Sequence, residues 1–204
     1  MLYLILIISA TLIIALVNIL VNPFGEVWWY YLVASVCATL AVILVDGIVA
    51  IVTHWFPEKM FSHENKRFDV SKREIKFYEA IGIKKWKELV PELGFLNGFK
   101  KNHIADPNNP EYLEKFLLEI NYGWVLHVLG VPFGYLIMLL DYKMYMNNVM
   151  TIGLTIGIPV ATVNAILCLL PAFVLRYNYP RLQVMHKFAI RKKKKKEKEN
   201  TNEE

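Results

Sequence analysis

Four long apolar runs, one long charged stretch between the second and third, and two short connections organise this sequence. The first run, Met1 to Val21, carries no Asp, Glu, Lys or Arg. It lacks the basic leader and small-residue cleavage site of a secretory signal, so it reads as a retained helix. The second, about Tyr30 to Trp55, opens on the aromatic cluster Trp28, Trp29, Tyr30 and Tyr31 and closes on His54 and Trp55, as interfacial aromatic belts do. Asn22-Pro23-Phe24-Gly25 supplies a turn that makes the two runs a hairpin. The third and fourth runs, about Trp124 to Leu140 and Val149 to Leu175, are joined by the short connection Asp141 to Asn148. A bilayer core of about 30 Å takes roughly 20 apolar residues as a helix. The pattern therefore predicts an all-α integral membrane protein of about four transmembrane helices.

Between the hairpins the pattern changes to basic, acidic and aromatic residues in alternation. Ser71 to Ala80 and Lys84 to Val90 place Ile75, Tyr78, Ile81, Trp86, Leu89 and Val90 at roughly helical intervals on either side of Gly82, which predicts amphipathic helices on the bilayer surface. Asn109-Pro110-Glu111 is a helix start: Asn caps, Pro suits the first turn, and Glu suits the positive end of the dipole. The expected division is 1–56 transmembrane hairpin, 57–123 cytoplasmic helical region, 124–182 second transmembrane hairpin and 183–204 basic disordered tail.

Charge orients this arrangement. Of 23 Lys and Arg, twelve lie between Lys59 and Lys115, ten lie from Arg176 onward, and Lys143 alone falls in the second short connection. The positive-inside rule then places both charged regions and both termini in the cytoplasm of a multi-pass cell-membrane protein. The net charge of +5 beside long apolar runs points to anionic lipid as partner and not to nucleic acid. The Arg191 to Lys196 run is expected to be a solvated tail drawn to such lipid. Cys37 and Cys168 each sit in an apolar run with no CxxC spacing, so neither a disulfide framework nor a metal site is expected.

Several polar residues fall where chemistry is costly to place. Asp46 lies within the second run and shares a helical stripe with Ala50 and His54. That stripe reads either as a helix–helix hydrogen bond with an interfacial histidine or as a polar seam. Glu119, Gly123 and His127 recur at four-residue intervals, and Gly130 and Gly134 continue the face, leaving room for a ligand or for close helix packing. His103 lies in the middle of the charged stretch; His63 and His186 read as plain surface residues. Arg176-Tyr177-Asn178-Tyr179-Pro180-Arg181-Leu182 closes the fourth run and suits a phosphate, a carboxylate or sugar hydroxyls, or simply anchors the helix at the headgroups. No Walker, GXSXG, HEXXH or dinucleotide-binding pattern is present in the sequence.

Pro57-Glu58-Lys59-Met60-Phe61, the block from Phe77-Tyr78-Glu79 through Lys84-Lys85-Trp86-Lys87 to Leu89-Val90-Pro91, the Glu119 to His127 spacing, and the Arg176 to Leu182 segment occur here in a specific order. In that order the chain, over about residues 57–190, resembles the glycosyl-diaponeurosporenoate acyltransferases of bacterial carotenoid synthesis. The resemblance implies transfer of a fatty acyl group onto a hydroxyl of a lipid or glycolipid, such as a glycosylated carotenoid. It implies His127 as base oriented by Glu119, with His103 as the rival base. Arg176, Asn178 and Arg181 would meet donor phosphate or the oxyanion, and Lys84, Lys85 and Trp86 an acyl carrier or headgroup. The acyl donor would be acyl-CoA, acyl carrier protein or phospholipid, with no other cofactor and no metal. A non-enzymatic lipid-binding or accessory membrane protein is the alternative.

Overall fold

The computed structural model describes residues 2–21, 28–90, 104–137 and 153–201. Among these there are helices and turns and no strand. The main helices are α1 (Leu2–Val21), α2 (Trp28–His54), α3 (Lys72–Ala80), α4 (Ile83–Trp86), α5 (Pro110–Gly134) and α6 (Ile158–Thr201), the last preceded by a π-turn, Gly153–Gly157. Among the described residues four stretches are long and apolar enough to cross a bilayer: Tyr3–Val21, Trp28–Trp55, Pro110–Gly134 and Gly153–Asn200. The Asn22 to Gly25 turn, His103 and the Asp141 to Asn148 connection lie outside the described residues.

The chain divides into two compact units, Met1–Thr53 with Leu126–Leu169, and His54–Val125 with Leu170–Glu204. In the first unit α1, α2 and the neighbouring parts of α5 and α6 close around Tyr31, Ala38, Val42, Ile137, Ile156, Val160 and Ala161. Much of α1 and α2 remains exposed, including Leu12, Ile13, Leu16, Leu40 and Leu44. Bilayer hydrocarbon is the solvent that suits such a surface.

In the second unit two apolar clusters fasten short elements to the helices. Phe61 and Phe68 pack with Phe116, Leu117 and Ile120 of α5 and with Tyr179 and Leu182 of α6. Tyr78, Ile83 and Val90 pack with Val174 and Tyr177 of α6. The amphipathic pair α3 and α4 thus turns Ile75, Tyr78 and Trp86 onto a protein helix, while Phe77, Ile81 and Leu89 stay exposed. The local signals explain their ends. Ser71 Oγ accepts from Glu74 N at 3.1 Å to cap α3, and Gly82 adopts φ +70° between the helices, a conformation natural to glycine. Asn109 Oδ1 accepts from Tyr112 N at 3.1 Å at the head of α5, as its sequence leads one to expect.

The end of the chain departs from expectation. Residues 183–201, expected to be disordered, continue α6 without a break. Lys, Arg and Glu are good helix formers, no Gly or Pro follows Pro180, and Lys195 pairs with Glu199 at i, i+4. Lys192 Nζ also reaches Asn108 Oδ1 at 2.9 Å, and Lys193 pairs with Glu111. At 1.5 Å per residue the 44 residues of α6 run to about 66 Å, roughly twice a bilayer's hydrocarbon core.

Candidate functional site

The most connected polar group in the second unit is Arg176. Its side chain is buried, and it donates four hydrogen bonds: Nε to Glu74 Oε1 at 2.8 Å, Nη2 to Glu74 Oε2 at 2.9 Å, Nη1 to the Phe68 carbonyl at 2.7 Å and Nη2 to the Asp69 carbonyl at 3.3 Å. The guanidinium also lies 4.7 Å from the Trp124 ring centroid, a cation–π contact. Tyr78 Oη donates to Glu74 Oε1 at 2.7 Å. Burial alone would raise the Glu74 carboxyl, but the hydrogen bonds from Arg176 and Tyr78, the nearby positive charge of Arg176 and a hydrogen bond from the Ser71 backbone outweigh it and hold it below the ordinary carboxylate value. With four of a guanidinium's five N–H groups given to the protein, Arg176 holds α3 and the preceding loop against α6.

The neighbouring sequence-predicted residues are more open. Asn178 is half-buried and Arg181 exposed. Lys84 and Lys85 are exposed, Lys84 in an ion pair with Glu79 at 2.7 Å, which contributes little at such a surface. Trp86 is half-buried against the Tyr78, Ile83 and Val174 cluster, and its Nε1 donates to the Ile81 carbonyl at 3.1 Å. Glu119 is half-buried in this unit.

Two further polar features of the second unit are Asn121, which the sequence pattern does not single out, and the ring stacked on His54, a partner the pattern does not name. Asn121 is 1% exposed and donates to the Phe61 carbonyl at 2.7 Å and to Tyr179 Oη at 3.2 Å, joining α5 to a turn and to α6. His54 stacks on Tyr122, with centroids 4.8 Å apart and planes 4° from parallel. His186 corrects the surface reading: it is 4% exposed, with its ring edge-to-face against His63 at 4.7 Å. A lone histidine in a basic segment gives no local sign of burial.

The first unit holds the polar groups of the apolar runs. Asn164 Nδ2 donates to Asp46 Oδ1 at 3.4 Å and to the Gly130 carbonyl at 3.5 Å, and Cys168 Sγ stands 3.9 Å from Asp46 Oδ2. Asp46 is thus met by polar groups of another helix, the first of its two sequence readings. The glycines of α5 serve close approach. A Cβ on Gly130 would stand 3.0 Å from Cys168 Sγ and 3.1 Å from Asp46 Oδ1, one on Gly134 2.8 Å from Asn164 Nδ2, and in the second unit one on Gly123 3.2 Å from Leu175 Cδ1. His127 lies on α5 in the first unit, and its Nδ1 is buried without a hydrogen-bond partner among the described residues. His103 lies outside the described residues.

Four helices of membrane-crossing length, exposed aliphatic faces on α1 and α2, and polar side chains tied helix to helix define a multi-helix membrane protein. The chain belongs to the glycosyl-4,4'-diaponeurosporenoate acyltransferase family, whose sequence model matches residues 54–188. No curated protein and no solved structure matches it.

Proposed function

We propose that this protein is a membrane acyltransferase that moves a fatty acyl group onto a hydroxyl of a lipid or glycolipid at the cytoplasmic leaflet, a glycosylated carotenoid being the acceptor the family name suggests. The observation that carries the reading is the buried Nδ1 of His127, unpartnered among the described residues, on a membrane-length helix of a chain in an acyltransferase family. Buried polar groups in native proteins are nearly always paired, so a ring nitrogen left open is a ring nitrogen available for proton transfer.

The chemistry balances with one such group. His127 takes the proton of the acceptor hydroxyl, and the acceptor oxygen bonds to the acyl carbonyl carbon. The tetrahedral oxyanion then collapses, the bond from that carbon to the donor's sulfur or oxygen breaks, and the leaving atom takes the proton from the imidazolium. No acyl-enzyme is needed. Cys168 is packed at Asp46, which suits a structural thiol.

The donor's polar end falls to the exposed or half-open groups, Arg181, Asn178, Lys84, Lys85 and the Trp86 ring. Acyl-CoA, acyl carrier protein and phospholipid all present the phosphate such groups suit. Arg176 acts by holding the α3 loop on α6, through the four bonds it already makes.

The test is comparative lipid mass spectrometry of cells with the protein, without it, and with His127→Ala. The expected result is paired loss of an esterified species and gain of its free hydroxyl form in both the deletion and the variant, with the variant still inserted in the membrane. Identical lipid profiles in all three would overturn the proposal.

A further inference from the structure

Within the second unit α5 and α6 run side by side, and the contacts between them fix their register. The Arg176 guanidinium lies on the Trp124 ring, Asn121 Nδ2 donates to Tyr179 Oη at 3.2 Å, Leu182 packs with Phe116 and Leu117, and Lys193 pairs with Glu111. Positions fall along α5 as they rise along α6, so the helices are antiparallel and stay together from Trp124 to the head of α5. Lys192 Nζ closes the series on Asn108 Oδ1 at 2.9 Å.

That register sets a height. The apolar run of α6 ends at Leu175 and that of α5 begins at Trp124, which puts the hydrocarbon boundary at the level of the Trp124 and Arg176 contact on both helices. From that level Glu111 is 13 residues away along α5 and Lys193 17 along α6, about 20 and 25 Å at 1.5 Å per residue. A typical tilt of about 20° shortens these heights little. Subtracting roughly 6 Å of headgroup layer leaves about 14 to 19 Å. That is about two Debye lengths at physiological ionic strength.

The end of α6 is thus poorly placed to feel its own leaflet, and it has no means of inserting there. No residue after Ile190 is apolar, whereas interfacial helices bind by burying apolar area as well as by charge.

The same segment is crowded with like charge. Seven Lys and Arg against two Glu lie between Arg191 and Asn200, and all of these residues are exposed. Arg191 with Lys195, Lys192 with Lys196 and Lys194 with Lys198 are like-charge neighbours at i, i+4, an arrangement that weakens a helix. Glu199 answers Lys195 at 3.6 Å, and Glu111 answers Lys193. An acidic surface laid along the helix relieves the remaining repulsion, and at this height such a surface comes from a soluble partner.

We propose that residues 191–198 form a docking arm for a small acidic soluble protein, the acyl carrier protein that would present the fatty chain as its thioester. The identity of the cargo rests on the acyl-transfer reading above, while the docking rests on charge and height. Contacts of this kind steer encounter and fade as salt is raised.

The test uses the full-length chain in phosphatidylcholine nanodiscs, purified acyl carrier protein as the probe, and the variant Lys194→Glu/Lys196→Glu/Lys198→Glu, which leaves the Lys192 and Lys193 contacts with α5 in place. The wild type is expected to bind the carrier, the variant at least about tenfold more weakly, and both less as salt rises. Hydrogen exchange over residues 189–201 should slow when the carrier is added and stay the same when phosphatidylglycerol replaces phosphatidylcholine in the disc. Equal carrier binding by wild type and variant, exchange that the carrier leaves unchanged, or exchange slowed by phosphatidylglycerol alone overturns the proposal, the last by giving the arm to lipid. The wild-type exchange measurement decides even where the variant does not fold. His127→Ala should bind the carrier as the wild type does, so failure of docking is told apart from failure of acyl transfer, which the lipid profiles read.

Discussion

Arg176 grips both carboxylate oxygens of Glu74, at 2.8 and 2.9 Å, across 102 positions of sequence. This paired fork joins the start of α3 to the middle of α6. Around it the Phe68 and Asp69 carbonyls and the Trp124 face complete the guanidinium's surroundings. Removing either partner leaves the other's charge half-buried, so the pair is a point of failure for the second unit.

Arg176→Met is expected to lower the stability of the second unit by about 3 kcal/mol, since it strands a carboxylate and two carbonyls together. Glu74→Gln keeps an acceptor for the guanidinium and is expected to cost about 1–2 kcal/mol. In the double variant the losses should fall short of their sum by at least about 1 kcal/mol. Thermal unfolding in detergent measures all three, and strict additivity would show that the two side chains do not act as a pair.

The same pair gives a pH dependence with a definite sign. The folded-state value of Glu74 lies below its ordinary 4.5. Its ionised form is therefore the one the fold prefers. The resulting stability is fully present above 4.5 and is lost as pH falls through the lower folded value. Melting temperature measured on an acid series should show that loss in wild type and a reduced one in Glu74→Gln. An identical acid slope in the two proteins would remove Glu74 as a source.

His127 should separate stability from activity. His127→Phe keeps the ring's bulk and removes a buried nitrogen without a partner among the described residues, so it is expected to leave stability unchanged or raise it by up to about 1 kcal/mol. The same variant should lose acyl transfer by about 10²-fold to 10⁴-fold, the usual contribution of a general base. Parallel melting curves and lipid product analysis check this. A variant that melts early and still makes product would reverse both assignments.

What the sequence made legible was local. Asn109-Pro110 starts α5, Ser71 caps α3, Gly82 turns the chain with φ +70°, and the four apolar runs fall on the four long helices. These depend on neighbours a few residues away and on residue type. Partners set by tertiary packing were not legible. Nothing near Arg176 in sequence points to Glu74, and nothing near Asp46 chooses Asn164 and Cys168 from the polar residues of the other helices. The basic run after Leu182 misled because composition measures charge, while helix continuity depends on the absence of breakers and on contacts such as Lys192 with Asn108. The Gly123, Gly130 and Gly134 face was visible as a stripe, but its use could be read only from the side chains that fill it.

That stripe gives the sharpest packing test. A methyl at Gly134 would come within 2.8 Å of Asn164 Nδ2, with Cγ and Cβ of the same side chain at 3.8 and 3.9 Å. Asn164 can yield only by giving up its bonds to Asp46 Oδ1 and the Gly130 carbonyl, at 3.4 and 3.5 Å. Gly134→Ala is therefore expected to destabilise the first unit by about 1–3 kcal/mol, even though alanine is the better helix former by about 1 kcal/mol. Asn164→Ala removes the obstructing amide. On the Gly134→Ala background it should cost less than it does in wild type, because the amide bonds are already broken there and the crowding is relieved. Gly123→Ala meets only the end of a leucine side chain at 3.2 Å and should be the mildest of the three glycine substitutions. Melting temperatures of the three glycine variants and of the double variant decide the matter. Equal losses from Gly123→Ala and Gly134→Ala, or no relief from Asn164→Ala, would show that the amide does not set the limit on how closely α5 is approached.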